Sequence, residues 1–149
     1  MHRFGAYLNL NVYRGLARHH NHVMARLNIG SMYTREQISA IVGGGLQSFL
    51  PTKNGQVVCG CFQLAVNPDA PREVLVGAGP LRERVATWTV LQENPIPVFV
   101  KREVGEWEYM GRWRGVRYLD GTHKSLVEEE RTKRKGIAGI LYMEPVETV

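Results

Sequence analysis

The chain has 149 residues, 44% of them hydrophobic and 22% charged, with a net charge of +5. That balance describes one globular domain with a real core, and it excludes a disordered or fibrous chain. No apolar run approaches the ~20 residues of a membrane helix, and Met1-His2-Arg3 opens mixed polar sequence with no secretory apolar region, so a soluble, cytoplasmic protein is expected.

Residues 1–28 read as a helical or irregular extension. Tyr7, Leu8, Leu10 and Val12, then Leu16, Val23, Met24 and Leu27, give a broken helical pattern. His19, His20 and His22 cluster there, and His19 and His22 at i, i+3 can share a helix face. Without a third ligand nearby, a solvated face is the simpler reading and no metal is assigned. Gly30-Ser31 then opens the main domain, residues 29–149.

Thr34 is placed to cap a helix, with Gln37 as its capping-box partner and Ile38, Ile41 and Val42 as the apolar face. Gly43-Gly44-Gly45 ends that helix. It lacks the Lys-Ser/Thr of a phosphate-binding loop and follows a helix instead of leading into one. Leu46–Leu50 is a short apolar run, Pro51–Gly55 is turn chemistry, and Val57–Leu64 predicts one strand carrying Cys59 and Cys61. Two cysteines at i, i+2 with no second pair fit free thiols in a reducing compartment better than zinc.

Asn67–Pro71 is a loop, Glu73–Val76 a strand, and Gly77-Ala78-Gly79-Pro80 its end. Leu81, Val85 and Trp88 at i, i+4, i+7 predict a helix over Leu81–Leu91, and Gln92–Pro95 is a turn. Ile96–Val100 and Trp107–Trp113 predict a hairpin turning at Gly105. In its second arm Trp107, Tyr109, Gly111 and Trp113 fall on one face, and the interior Gly111 suggests a bulge. Thr122 or Ser125 is expected to cap a helix that runs through Lys135 to a Gly136 C-cap, and Ile137–Val146 predicts a closing strand. About six strands with two or three short helices predict an α+β fold: a small, mostly antiparallel β-barrel with flanking short helices.

Several side chains carry two readings each. Trp88 serves as a stacking plane or as core; Tyr33 lines a pocket or staples the helix that follows it. Gln92 and Asn94 have amide edges suited to a base, and equally suited to backbone in a turn. Lys53, Arg82, Arg84, Arg112 and Arg114 are the phosphate candidates, with Trp113 interleaved among the last two. In Glu128–Lys135 acidic residues precede basic ones, which suits a helix dipole and favours a structural role for Arg131, Lys133, Arg134 and Lys135. No nucleophile elbow and no paired-carboxylate motif stands out, so no catalytic residues are assigned.

The pieces Gly30–Ile38, Asn67-Pro68, Val76–Pro80, Gln92-Glu93-Asn94, Pro-Val-Phe-Val at 97–100 and Tyr109–Trp113 come in an order that resembles the PUA-like superfamily. In particular, it resembles the SRA-like modules that read modified bases. It spans roughly residues 29–146 and rests on the layout of short motifs. It implies a binding module, not an enzyme, with no cofactor. A flipped base would enter a pocket at one barrel mouth, stack on aromatics and be read along its polar edge. Carried onto this chain, the pocket residues are Tyr33, Gly77, Gly79, Trp88, Gln92, Asn94 and Trp113. The implied partner is nucleic acid, DNA over RNA, with modified cytosine as the mark. Such modules are often joined to restriction nucleases or helicases, which points to a defence context. The chain departs from the pattern in having no carboxylate near the glycine loop before Glu83. An RNA- or free-nucleotide-binding PUA-like protein, and a hydrolase of modified nucleotides, stay open as alternatives.

Overall fold

The structure, a computed structural model, describes residues 26–120 and 123–146. The histidine cluster at 19–22 and the cap candidate Thr122 lie outside the described residues. In chain order the elements are β1 (Met32–Tyr33), α1 (Arg35–Val42), β2 (Thr52–Lys53), β3 (Gln56–Val57), β4 (Gly60–Gln63), β5 (Glu73–Gly77), α2 (Pro80–Leu91), β6 (Ile96–Glu103), β7 (Glu106–Asp120), α3 (His123–Thr132) and β8 (Ile137–Pro145).

The main sheet has the order β4-β6-β7-β8-β5, with β1 also paired to β7; β2 and β3 form a separate two-stranded ribbon. Every ladder of the main sheet is antiparallel except β4–β6. The α+β class and the antiparallel bias agree with the sequence. Among the described residues no ladder joins the edge strands β4 and β5, so strand pairing leaves the expected barrel open at that seam.

Local chemistry accounts for most boundaries. Thr34 and Gln37 form both arms of the capping box: the Gln37 N–H donates to Thr34 Oγ1 at 3.1 Å, and the Thr34 N–H donates to Gln37 Oε1 at 2.9 Å. Pro80 opens α2 at a position whose amide would have no helical partner. β6 is buried along Ile96–Val100 because two cores use its two faces. Ile96 and Val98 pack in a core with Phe62, Val74, Val76, Val85 and Trp113, whereas Phe99 packs in a second one with Ile38, Val42, Cys61, Trp107 and Tyr109. An unbroken apolar run is the pattern such a strand requires. Leu27 also belongs to the second core, so the chain docks on the domain from at least that residue.

Four expectations change. The strand expected over Val57–Leu64 breaks into β3 and β4, because Val58 and Cys61 reach back to the carbonyls of Pro51 and Phe49 instead of continuing one ladder. The short apolar run Leu46–Leu50 supplies Leu50 to the first core, at 1% exposure. α3 stops at Thr132, three residues early, because Lys133 turns to φ +60° and breaks the helical path. Ser125 lies inside α3, not at its start.

The fourth change is in β7. Gly111 sits at φ +86°, and the register shifts between Pro97 and Phe99 on the partner strand. This is the bulge that an interior glycine suggests. One extra residue flips the alternation. Trp107 and Tyr109 stay in the second core, while Trp113 turns to the opposite face and enters the first. Its Nε1–H donates to the Met110 carbonyl across the bulge at 2.9 Å.

Candidate nucleic-acid interface

β5 ends at Gly77, and α2 begins at Pro80 after only two intervening residues. This corner is where polar chemistry gathers. The Ala78 N–H donates to the Gly136 carbonyl at 2.8 Å, tying the corner to the start of β8. Arg82 folds back from the first turn of α2, its Nη1 donating to the Ala78 carbonyl at 3.1 Å. Arg134 arrives from the segment after α3, its Nη1 donating to the carbonyls of Val66 at 3.0 Å and Leu75 at 3.3 Å. Burial, and then the nearby Arg82 charge, lowers the Arg134 pKa from its ordinary value.

Two depressions flank the corner. One, of about 600 Å³, is lined by Ala65, Val66, Pro68 and residues 131–134. Most of its charge is already matched. Arg131 pairs with Asp69 and, at 2.6 Å, with the buried Glu128, while Lys133 pairs with Glu130 at 2.9 Å. Asn67, 4% exposed, holds the loop wall by accepting from the Leu75 N–H at 2.7 Å.

The other depression is an open groove of about 530 Å³ between α2 and the C-terminal half of β7, whose lining includes Pro80, Glu83, Arg84, Trp88, Tyr118 and Asp120. The backbones come this close because Gly115 on β7 has no side chain. A Cβ there would lie 2.9 Å from the Thr89 carbonyl oxygen of α2. Within the groove the Tyr118 hydroxyl donates to Glu83 Oε1 at 3.2 Å. Desolvation first, and then the Glu83 charge, pushes the Tyr118 pKa up, so the phenol keeps its proton. The groove thus offers two aromatic rings beside a carboxylate and an arginine.

The residues singled out in the sequence divide into separate groups. Gly77, Gly79, Arg82, Arg84 and Trp88 lie along the corner and the groove. Gln92 sits at the other end of α2, where its Oε1 accepts from the Val57 N–H at 3.0 Å and its Nε2 donates to the Val57 carbonyl at 2.9 Å. Both ends of that amide are spent on backbone. Asn94 lies two residues before Ile96, which pairs with Trp113. Trp113 is 6% exposed, with the Arg72 guanidinium 5.5 Å from its ring. Arg112 and Arg114 flank it, and Arg114 pairs with Glu144 of β8. Along β8, Ile137 opposes Gly77 and Pro145 opposes Trp113, so at about 3.3 Å per residue the corner and the Trp113 group lie roughly 26 Å apart. Tyr33 packs edge-on to Phe99 at 6.0 Å, and its hydroxyl accepts from the Asn28 N–H at 3.0 Å. Lys53 lies on β2 with its side chain against Gly43.

Sequence reasoning missed Glu83, Tyr118 and Arg134. Tyr118 did stand beside Arg117 at the end of an aromatic-basic run. Arg134 was hidden in a basic run that a helix dipole explains equally well. Cys59 and Cys61 are free thiols, 0% and 3% exposed, with sulfurs 4.0 Å apart.

An open sheet with helices against both faces and a glycine corner at one strand end gives an SRA-like fold. Comparison with solved structures agrees. The SRA domain of SUVH5, solved with hemimethylated CG DNA, has a TM-score of 0.59 at 12% identity, the match covering 82% of this chain and 90% of that one. The same domain bound to fully hydroxymethylated CG DNA has a TM-score of 0.59 at 13% identity, covering 84% and 93%. KRYPTONITE, solved with mCHG DNA and SAH, has a TM-score of 0.57 at 10% identity, covering 81% of this chain and 32% of that one. The chain belongs to the family DUF6697, a domain of unknown function, whose model matches residues 32–140. No curated protein matches it.

Proposed function

We propose that the domain of residues 29–149 is a DNA-binding module that reads a modified base, with residues 1–28 as an extension. The observation that carries this reading is the shared fold with SRA domains solved on methylated and hydroxymethylated DNA. The glycine corner supports it, because an aromatic groove and a pair of arginines adjoin one backbone segment there. In this reading the base is modified cytosine, flipped from the duplex into the groove between α2 and β7. Trp88 and Tyr118 supply aromatic faces. Glu83 is the acceptor for the exocyclic amine, the group by which carboxylates recognise cytosine. Gly77 and Gly79 let the nucleotide backbone approach the protein backbone. Arg84, with Arg82, faces phosphate. Tyr33, Gln92, Asn94 and Trp113 belong to the scaffold away from this groove, and Lys53, Arg112 and Arg114 extend the basic surface. A nuclease or helicase acting on the marked DNA is the partner such a reader serves, in restriction or another defence role.

The test is equilibrium binding to matched duplexes carrying cytosine, 5-methylcytosine, 5-hydroxymethylcytosine or glucosylated cytosine, with the same sequences as RNA. The expected result is preference for one modified DNA duplex over plain DNA. Equal binding to all four DNA duplexes would remove the modified-base reading, and tighter binding to RNA would redirect it.

A further inference from the structure

In the basic run after Glu128, Arg131 and Lys133 are each held by a carboxylate. Arg134 is not; its partners among the described residues are two carbonyl oxygens. Arg82 has the same character, with one carbonyl partner. Neither guanidinium has an acidic partner among the described residues, yet both converge on one point. A Cβ added at Gly77 would lie 3.4 Å from Arg134 Nη2 and 3.5 Å from Arg82 Cδ, with Arg82 Nε at 3.9 Å. At Gly79 the same construction meets Arg82 Nη1 at 3.5 Å. Two cations therefore border one small volume that a glycine leaves open.

Like charges that close destabilise each other unless an anion sits between them, and the Arg82 charge adds to burial in lowering the Arg134 pKa. The carbonyl bonds explain why the pair stays in place. Each guanidinium uses Nη1 on backbone, which fixes the fork and leaves Arg134 Nη2 and Arg82 Nε as donors toward the gap. Donors already fixed by the fold lose little freedom when a ligand arrives. Planar forks around a side-chain-free strand end fit a tetrahedral oxyanion.

We propose that Arg82 and Arg134 form a phosphate clamp over Gly77, a site distinct from the base groove on the other side of the corner. It rests on the DNA-binding reading only for the source of the phosphate, which is a backbone diester in DNA or the monoester of a free nucleotide.

The experiment uses the full chain in three arms: thermal stability against inorganic phosphate at constant ionic strength, the same against a nucleoside and its 5′-monophosphate, and salt-dependent binding of a plain DNA duplex. The native protein should gain stability with phosphate beyond that with chloride. Arg82→Gln and Arg134→Gln should each lower the log–log salt slope by about one. Gly77→Glu, which places a carboxylate between the two cations, should abolish the phosphate response. Arg134→Gln also removes two loop-anchoring bonds, so Arg82→Gln, verified as folded, carries the test if the other variant does not fold. A stability gain with the monophosphate and no slope change on DNA assigns the clamp to free nucleotides; slope loss on DNA assigns it to the duplex backbone. No phosphate response in the native protein, with an unchanged slope in folded Arg82→Gln, overturns the site. The base reading fails separately, by absence of preference among modified duplexes, whatever the slopes do.

Discussion

Replacing Gln92 by alanine separates two roles for the same amide. If it only reads a base, its loss changes specificity and leaves stability alone. The geometry says otherwise. Gln92 brackets Val57 with two bonds, at 3.0 and 2.9 Å, and Val57 is 2% exposed. Truncation strands a buried N–H and a buried carbonyl, each at about 1–3 kcal/mol, so the expected loss is about 2–5 kcal/mol after some relaxation. For a domain of this size that lowers Tm by roughly 6–15 °C, taking ~3 °C per kcal/mol. Gln92→Glu sharpens the test. In its acid form the new side chain keeps one acceptor and one donor, as the amide does. Ionised, it points a carboxylate at the Val57 carbonyl. The folded state therefore favours the neutral acid and raises that carboxyl above its unfolded value of about 4.3. The sign follows: the variant is closest to the native protein below about pH 4, and the gap widens as pH rises through the raised value. At pH 7 it should resemble the alanine variant. Denaturant melts of the three proteins at pH 4 and 7 give the comparison. A Gln92→Ala protein within about 0.5 kcal/mol of native that has lost its choice among modified duplexes would refute the bracket and restore the amide as a reader.

Three further outcomes are expected. Trp88→Ala should weaken binding to the preferred modified duplex about 5- to 150-fold, the equivalent of ~1–3 kcal/mol of stacking, while the salt slope on plain DNA holds; an unchanged preference ratio in a folded variant takes Trp88 out of the groove. Gly115→Ala forces a Cβ to within 2.9 Å of the α2 backbone, which should cost about 1–3 kcal/mol as overpacking, whereas Gly45→Ala, in open space, should be near neutral; equal melts for both would mean that α2 is not seated on β7. Cys59 and Cys61 should resist a thiol reagent in the native protein at pH 8 and react in denaturant, because both are buried and Cys59 has its pKa raised, first by the bond with Cys61 and then by burial. Ionisation of Cys59 in the unfolded chain alone makes stability fall as pH climbs above about 8.5.

Local signals were the legible part of the fold. The Thr34–Gln37 box, Pro80 at a helix start, the Ile96–Val100 run and Gly111 as a bulge are each decided within a few residues, and each forms as read. What the sequence hid depends on partners far along the chain. The break between β3 and β4 follows from carbonyls at Pro51 and Phe49, and the open seam from where β8 docks. Alternation in β7 misplaced Trp113 because a period of two holds only until a bulge, and the residue that breaks it does not announce which face follows. The corner was visible as Gly77-Ala78-Gly79-Pro80. Its arginine partner was not, since Arg134 lies 57 residues beyond Gly77 in the chain, and only folding brings the two into contact.

The strand order has a consequence for how the protein is made. β4 and β5 are consecutive in the chain, yet they occupy the two edges of the sheet, and all the strands between them are synthesised later. The β6–β7 hairpin, with a two-residue connection between Glu103 and Glu106, is the first long ladder that can close; the others wait on distant sequence. Of the strands longer than two residues, β5 waits longest, because its partner β8 ends at Pro145. At about 5–20 residues per second, the 68 residues from Gly77 to Pro145 take roughly 3–14 s to emerge. Through that interval Val74, Leu75 and Val76, all buried in the finished fold, form an apolar strand with no partner. A nascent chain stalled before Ile137 would therefore aggregate through this strand, or need a chaperone to cover it.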